Sequence, residues 1–319
     1  MSVEPDLRMT VLSRATKAEG VISLCLASVT GARLPEWQPG AHIDLVLGEG
    51  LIRQYSLTSD PQQRSQWEIA VLLEPAGRGG SRIIFDRLWP GSDLRVRGPR
   101  NHFALHPARQ YLFIAGGIGI TPIRPMLAAA EARGADWRLL YGGRSACSMA
   151  FVYELLDLYG PERVQVRPQD ICGLLDVAGY LEQADDGALV YCCGPEPLLE
   201  AVEQHCAATG LNLHTERFTA PSVQTPLEDQ HTFEVELART GTTITVAAGV
   251  SILSAAEQAG ALVTSSCEEG TCGSCQTTVL AGKPLHRDWV LSAPERASGD
   301  TMMICVSRSE DDGKLVLDL

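Results

Sequence analysis

The sequence predicts a multi-domain chain in three parts: an antiparallel β-barrel, an α/β doubly wound domain, and a small α+β domain. Three observations predict it. The 319 residues exceed one typical core and suit two or three domains of roughly 100 residues each. Residues 1–105 read as short strands broken by Pro/Gly turns. From residue 106 the texture changes to strands alternating with helices, the rhythm of a parallel sheet covered on both faces. With 45% hydrophobic and 20% charged residues the chain is expected to fold rather than stay disordered.

The elements follow in order. In the first part "GVISLCLAS" and "WEIAVLLE" are strands, and "QPG" and "WPGSD" are turns. In the second, 106–220, strands "QYLFIAG", "WRLLYGG", "RVQVR" and "GALVYCC" alternate with helical "IRPMLAAAEAR", "AFVYELLDLY" and "EPLLEAVEQHCAAT". The polar, aperiodic "TAPSVQTPLEDQ" with its two prolines reads as an exposed linker, set at 221–230. In the third part, 231–319, "TFEVELART" and "TTITVAA" form an opening hairpin and "ILSAAEQAG" a short helix. Neither internal repeats nor low-complexity tracts interrupt this order.

Composition narrows the function classes. A formal net charge of −13 argues against nucleic acid, whose phosphates would be repelled. "MSVEPDLRMT" lacks a basic segment followed by an apolar run, and no stretch reaches the roughly 18 apolar residues of a membrane span, so a cytoplasmic protein is expected. Residues 231–319 carry 12 acidic and 6 basic side chains against 27 and 20 in the preceding 230, about twice the net charge density. That is either a solvated surface or an acidic docking face for a protein partner.

"SSCEEGTCGSCQ", residues 265–276, holds three of the ten cysteines. In a reducing cytosol clustered cysteines are metal ligands or catalytic groups more often than disulfides. Cys267, Cys272 and Cys275 are spaced C-x4-C-x2-C, and Cys305 in "MMICVSRS" follows after 29 residues. This is the plant-type 2Fe-2S spacing, in which one loop supplies three thiolates and a distant strand the fourth. A structural zinc site more often shows two paired knuckles. Small residues Ser265, Ser266, Gly270, Gly273 and Ser274 let backbone N–H groups approach the sulfurs.

Two glycine-rich loops are phosphate-site candidates. "GRGGS", residues 77–81, precedes a helical "RIIFDRL", so Gly79, Gly80 and Ser81 bare backbone N–H groups at a helix amino terminus. "AGGIGITPI", residues 115–123, ends an apolar strand and opens a helix. In "YCCGPEPL" a strand ends in Cys193-Gly194 and Pro195 opens the next helix. Cys192 is expected on the opposite sheet face from Cys193. Cys25, Cys147, Cys172 and Cys206 have no ligand spacing and read as small buried hydrophobes; His42 reads as structural.

On these motifs the chain resembles the phthalate dioxygenase reductase family, in which FMN, NAD and plant-type ferredoxin (β-grasp) domains are fused in that order. The resemblance covers nearly every residue. It implies that "RQYSL" serves the flavin: Arg53 binds its phosphate, Tyr55 packs along the isoalloxazine, and Ser56 lies near N5, with Gln54 and Leu57 in the same strand. Gly79, Gly80 and Ser81 then hold the FMN phosphate; FMN rather than FAD follows from the resemblance, with weak support from the short segment before "GRGGS", which shows no inserted loop to cover an adenosine. Gly116, Gly117, Gly119, Thr121 and Pro122 form the nicotinamide dinucleotide loop, with Thr121 near the reacting rings and Cys193, Gly194 and Pro195 opposite, Cys193 near nicotinamide C4. Glu216 and Phe218 in "HTERF" lie at the hydride-transfer site, Phe218 against the flavin. NADH is the expected donor, although Arg144 and Ser145 in "YGGRS" could meet a 2′-phosphate.

NAD(P)H gives electrons in pairs and a 2Fe-2S cluster takes them singly; a flavin does both. The implied activity is an NADH-dependent relay through FMN and the cluster to a terminal Rieske-type oxygenase acting on an aromatic acid or related compound, with the reductase a monomer. A diiron oxygenase as partner, or a non-catalytic electron carrier, are the alternatives; the intact "GGIGITPI" and "CGP" speak against the carrier.

Overall fold

The computed structural model describes residues 5–48, 50–220, 231–311 and 313–319. The expected linker 221–230 therefore lies outside the described residues. The chain divides into two compact units, Met1–Glu216 and Arg217–Leu319.

In the first unit, six strands make one antiparallel sheet: β1 (Asp6–Ala18), β2 (Val21–Ser28), β3 (His42–Gly48), β4 (Leu51–Ser56), β5 (Trp67–Leu72) and β6 (Asp93–Arg100). Their order is β4-β3-β6-β1-β2-β5. Leu57, just past β4, bridges Ile69 of β5 and brings the two edges together, giving the expected barrel. Period-two alternation puts Leu94 and Val96 of β6 inside and Asp93 and Arg95 outside. Between β5 and β6 runs the helix α1 (Gly80–Arg87), which buries Ile84.

The same unit continues with β7 (Gln110–Gly116), α2 (Ile120–Ala132), β8 (Asp136–Gly143), α3 (Val152–Tyr159), β9 (Val164–Pro168), α4 (Gln169–Cys172), α5 (Val177–Leu181), β10 (Leu189–Cys193), α6 (Glu196–Thr209) and β11 (Asn212–Glu216). The strands are parallel in the order β11-β10-β7-β8-β9. All of β7 is buried because helices cover both faces of the sheet. The chain begins at the central β7, winds to β9, then returns to β10, so the order reverses between β7 and β10. Open α/β sheets bind ligands at the carboxyl ends of strands at such a switch point. "AGGIGITPI" and "CGP" both sit there. One core is shared with the barrel, since Val21 and Ala70 pack in the same cluster as Phe113, Ile123 and Tyr141.

The second unit contains β12 (Phe233–Leu237), β13 (Thr242–Val246), α7 (Ile252–Gln258), β14 (Gln276–Ala281), β15 (Pro284–Leu285), α8 (Ala293–Ser298), β16 (Thr301–Met303), β17 (Arg308–Ser309) and β18 (Leu315–Leu317). Five of these strands form a sheet of order β13-β12-β18-β14-β16, with β12 and β18 parallel. α7 starts at Ser251, whose side chain accepts from the Ser254 N–H, and buries Ile252, Leu253 and Ala256 in the core. The opening hairpin and short helix stand where the sequence puts them.

The expectations for four cysteines need correction. Cys305 lies in the turn after β16 rather than on a strand. Cys147 and Cys172 are exposed, and Cys25 is half-buried, so only Cys206 of that set is a buried hydrophobe. A thiol is small enough for either environment, and no local pattern distinguishes them.

Candidate functional site

On the barrel side the site is built from β4 and the amino terminus of α1. Gly79 precedes α1 in the left-handed region at φ +82°, and no side chain caps the helix, so its first N–H groups are left for a ligand. A Cβ on Gly80 would come within 2.5 Å of the Arg53 side chain, which brings Arg53 onto this loop. Arg53 also donates to the Arg78 carbonyl at 3.1 Å. Ser81 Oγ accepts from the Glu74 N–H at 3.0 Å, and its own O–H can still donate outward. This cradle of bare donors, an arginine and a hydroxyl fits a phosphate.

Farther along β4, Tyr55 is half-buried and Ser56 is buried. Burial pushes the Tyr55 phenol well up, which keeps it neutral. Ser56 Oγ is covered, and its hydroxyl neighbours the Glu216 carboxyl. Gln54 donates to the Asp44 carboxylate at 2.9 Å, and Leu57 is fully buried; both support the strand from within the protein.

Across the switch point, two glycine pairs let the loops touch. A Cβ on Gly119 would meet the Cys193 carbonyl oxygen at 2.2 Å, and one on Gly116 would meet Pro195 at 2.6 Å and Leu198 at 2.8 Å. A Cβ on Gly194 would lie 3.0 Å from the Gly116 backbone. Gly117 takes φ +54°. Thr121 is buried and donates to the Ile118 carbonyl at 2.9 Å, holding the turn into α2, with Pro122 next in the helix. The result is a bare backbone ledge at a helix start, which suits a pyrophosphate. At the end of β8, Arg144 is exposed, and Ser145 caps the next turn reciprocally with Ser148.

Cys193 and Glu216 are register partners at the ends of β10 and β11. Both lean on the same environment. Burial, and next the Glu216 carboxyl, push the Cys193 thiol well up. Burial pushes Glu216 to about 8, against a smaller lowering by the neighbouring Ser56 hydroxyl. Glu216 Oε2 is covered and makes no hydrogen bond. Ser56, Cys193 and Glu216 thus converge where the barrel strand meets the parallel sheet. Cys192 packs in the cluster on the other sheet face, as alternation requires. Phe218 falls in the second unit and is exposed.

In the second unit, Cys267, Cys272, Cys275 and Cys305 are all buried. They form two thiol pairs: a hydrogen bond from Cys272 lowers Cys267, and one from Cys305 lowers Cys275. Among the described residues no three ligating side chains surround a single ion point. Donors also converge on the sulfurs: the Glu269 N–H reaches Cys267 at 3.3 Å, Thr271 donates there too, and Ser274 Oγ lies 3.1 Å from the Cys272 sulfur. Gly270, at φ +72°, has no room for a Cβ, which would lie 2.7 Å from Val306, beside Cys305.

The sequence reading missed the support for this loop. Trp289 N–H donates to the Gly270 carbonyl at 2.9 Å, and the buried Asp288 carboxylate accepts from Val290 and Leu291 N–H at 3.0 and 2.8 Å. An Asp in "HRDWVLS" carries a local turn signal, but its proximity to the cysteine loop is a tertiary fact.

Residues 17–105 match the family model of an oxidoreductase FAD-binding domain, 113–204 an oxidoreductase NAD-binding domain, and 235–310 a 2Fe-2S iron-sulfur cluster binding domain. The chain is 43% identical over 305 residues to phenoxybenzoate dioxygenase subunit beta of Ectopseudomonas oleovorans, covering 95% of this chain and 94% of that one. The crystal structure of phthalate dioxygenase reductase superposes with a TM-score of 0.70 at 36% identity, over 98% of both chains. An intact type IV self-sufficient cytochrome P450 monooxygenase superposes with a TM-score of 0.93 at 42% identity; 98% of this chain is covered but only 41% of that longer one.

Proposed function

The chain belongs to the phthalate dioxygenase reductase family, NADH-dependent flavin and iron–sulfur oxidoreductases that supply oxygenases, and from that premise we propose its finer assignment. FMN is the flavin, and the terminal partner is a Rieske-type oxygenase acting on an aromatic acid or related compound. The protein works as a monomer in the cytoplasm. No helix among the described residues is long and apolar enough to cross a membrane.

One observation supports the reading: β4 carries Arg53 beside the Gly80 loop and ends in Ser56, which neighbours Glu216, itself the register partner of Cys193 beside the Gly119 loop. FMN is supported by the short passage from the end of β5 at Leu72 to α1 at Gly80, with no added segment to cover an adenosine. When bound, the flavin exchanges electrons both in pairs and singly, which joins a hydride donor to a one-electron cluster.

The chain's residues do the positioning. Arg53, Gly79, Gly80 and Ser81 would hold the phosphate, Tyr55 would lie along the ring system with Gln54 and Leu57 fixing its strand, and Ser56 would donate to the ring edge. Gly116, Gly117, Gly119, Thr121 and Pro122 would carry the dinucleotide, with Gly194 and Pro195 opposite. Cys193 and Glu216, both uncharged at neutral pH, would keep the transfer site dry. Arg144 and Ser145 would lie near the adenosine ribose; Ser145 is already engaged with Ser148, which favours NADH over NADPH. Cys267, Cys272, Cys275 and Cys305 would ligate the cluster.

A haem monooxygenase is the second reading of the partner, favoured by the P450-fused relative. The test has two parts. Flavin released by heat is identified by chromatography, with FMN expected and FAD overturning that assignment. NADH-reduced protein is then mixed anaerobically with an oxidised Rieske oxygenase and, separately, with a ferric P450. Faster reduction of the Rieske centre is expected, and the reverse order makes the haem enzyme the partner class.

A further inference from the structure

We propose that Arg124 is a positioning residue that ties the nicotinamide loop to the flavin strand and so fixes the distance between the two rings. The inference rests on the flavin and nicotinamide assignments above.

Arg124 stands one turn after Thr121 on α2, hence on the same helix face. Its Nη1 donates to the Thr58 carbonyl at 3.1 Å and to the Glu68 carboxylate at 2.9 Å. Thr58 is buried, two residues past Ser56, and is itself held to β5 by its N–H and hydroxyl on the Glu68 carbonyl at 2.8 and 3.1 Å. A single guanidinium therefore joins the segment carrying Thr121 to the segment carrying Ser56. Its other nitrogen donates to the Glu154 carboxylate of α3 at 3.0 Å, and its plane lies 4.6 Å from the Phe151 ring centre.

The surroundings hold that arginine in one place. Lys17 of β1 bonds Glu154 at 2.8 Å and lies 3.7 Å from Glu68, so two cations and two carboxylates balance across the seam between barrel and sheet. Phe151 adopts φ +64°, a conformation a bulky residue rarely takes, and its ring lies under both cations. Only a planar fork can bond a carbonyl, two carboxylates and a ring face at once; an ammonium cannot reproduce that geometry. The side chains of Arg124 and Glu68 are 26% and 16% exposed, so solvent screens this pair less than a surface pair. Hydride transfer depends steeply on donor–acceptor distance, and displacement by about 1 Å can cost about a hundredfold.

The test compares Arg124→Met, Arg124→Lys and wild type as the flavin-loaded full chain. Four quantities are measured: flavin content, the dissociation constant for NADH, the limiting rate of anaerobic flavin bleaching, and the long-wavelength charge-transfer absorption of the flavin–nicotinamide complex. For Arg124→Met the limiting rate should fall by about tenfold or more and the charge-transfer band should weaken. Flavin content and NADH affinity should stay close to wild type, and Arg124→Lys should recover part of the rate. A wild-type limiting rate and band in Arg124→Met overturn the proposal, whatever its melting temperature, because a merely structural tie would move stability alone. Should Arg124→Met fail to accumulate, Glu68→Gln removes the carboxylate at the barrel end, and the same two readouts decide. Wild-type protein that NADH does not bleach would sink the flavin and nicotinamide assignments instead, which keeps the two failures apart.

Discussion

The Cys193 thiol and the Glu216 carboxyl stand side by side at the ends of adjacent parallel strands, and both are held neutral by burial. Neutrality matters there. At the proposed transfer site a charged carboxylate would repel electron density arriving on the acceptor and would draw in water.

Glu216, with its carboxyl raised to about 8, gives a signed pH prediction. Its folded-state value lies above the unfolded one, so the folded protein binds the extra proton between roughly pH 4.5 and 8. The associated stability is complete below that window and is lost as pH rises through it. Glu216→Gln, neutral at every pH, should gain on wild type across the window, by on the order of 2 kcal/mol after allowance for partial exposure. Urea titrations of flavin-free protein at pH 5 and pH 9 read this difference. A constant gap between the two proteins would show that Glu216 ionises normally.

Gly119→Ala should abolish flavin bleaching by NADH. The new Cβ would lie 2.2 Å from the Cys193 carbonyl oxygen, backbone against backbone, so this loop and the end of β10 must move apart. Flavin content and the reduced cluster's paramagnetic resonance signal, generated with dithionite, should remain. Wild-type bleaching in Gly119→Ala would remove this loop from the nicotinamide site.

Much of this was readable in advance, for physical reasons that differ by residue. Leu94 and Val96 announce a barrel strand because period-two burial is local, and the close spacing of Cys267, Cys272 and Cys275 announces a 2Fe-2S domain because that motif lies within one loop. Arg124 and Glu68 do not announce each other, since 56 residues separate them and each alone is an ordinary surface charge. Glu216 shows no sign in sequence of its raised carboxyl, which comes from the tertiary packing around β11. Asp288 is likewise silent, and Cys147 and Cys172 read as buried although they are exposed.

Ser81→Ala tests the phosphate cradle. The hydroxyl accepts from the Glu74 N–H and has one proton left to donate, so on the proposed assignment the change removes a charge-assisted hydrogen bond to the phosphate. The cost is on the order of 1.5 to 3 kcal/mol, or about tenfold to a hundredfold in flavin affinity. The fold should survive, because α1 is anchored by the buried Ile84. Flavin retention after extensive dialysis is the measurement, and unchanged retention would count against the assignment.

Cys305→Ser separates the two halves of the relay. Cys305 is remote in sequence from the other three cysteines, yet it lies within hydrogen-bonding reach of Cys275, and Gly270 has no room for a side chain against the turn that carries it. A hard oxygen in place of a soft thiolate should cost the cluster or shift its potential. Bleaching of flavin by NADH uses the first unit and should persist, as should reduction of a small acceptor that takes electrons from flavin directly. Delivery to an oxygenase should collapse, because those electrons leave through iron. Iron content, the paramagnetic resonance signal and the two activities are measured side by side on one preparation. Full iron with undiminished oxygenase turnover would mean that the thiol pair at Cys275 and Cys305 is not a ligand pair, and the electrons would then need another way out.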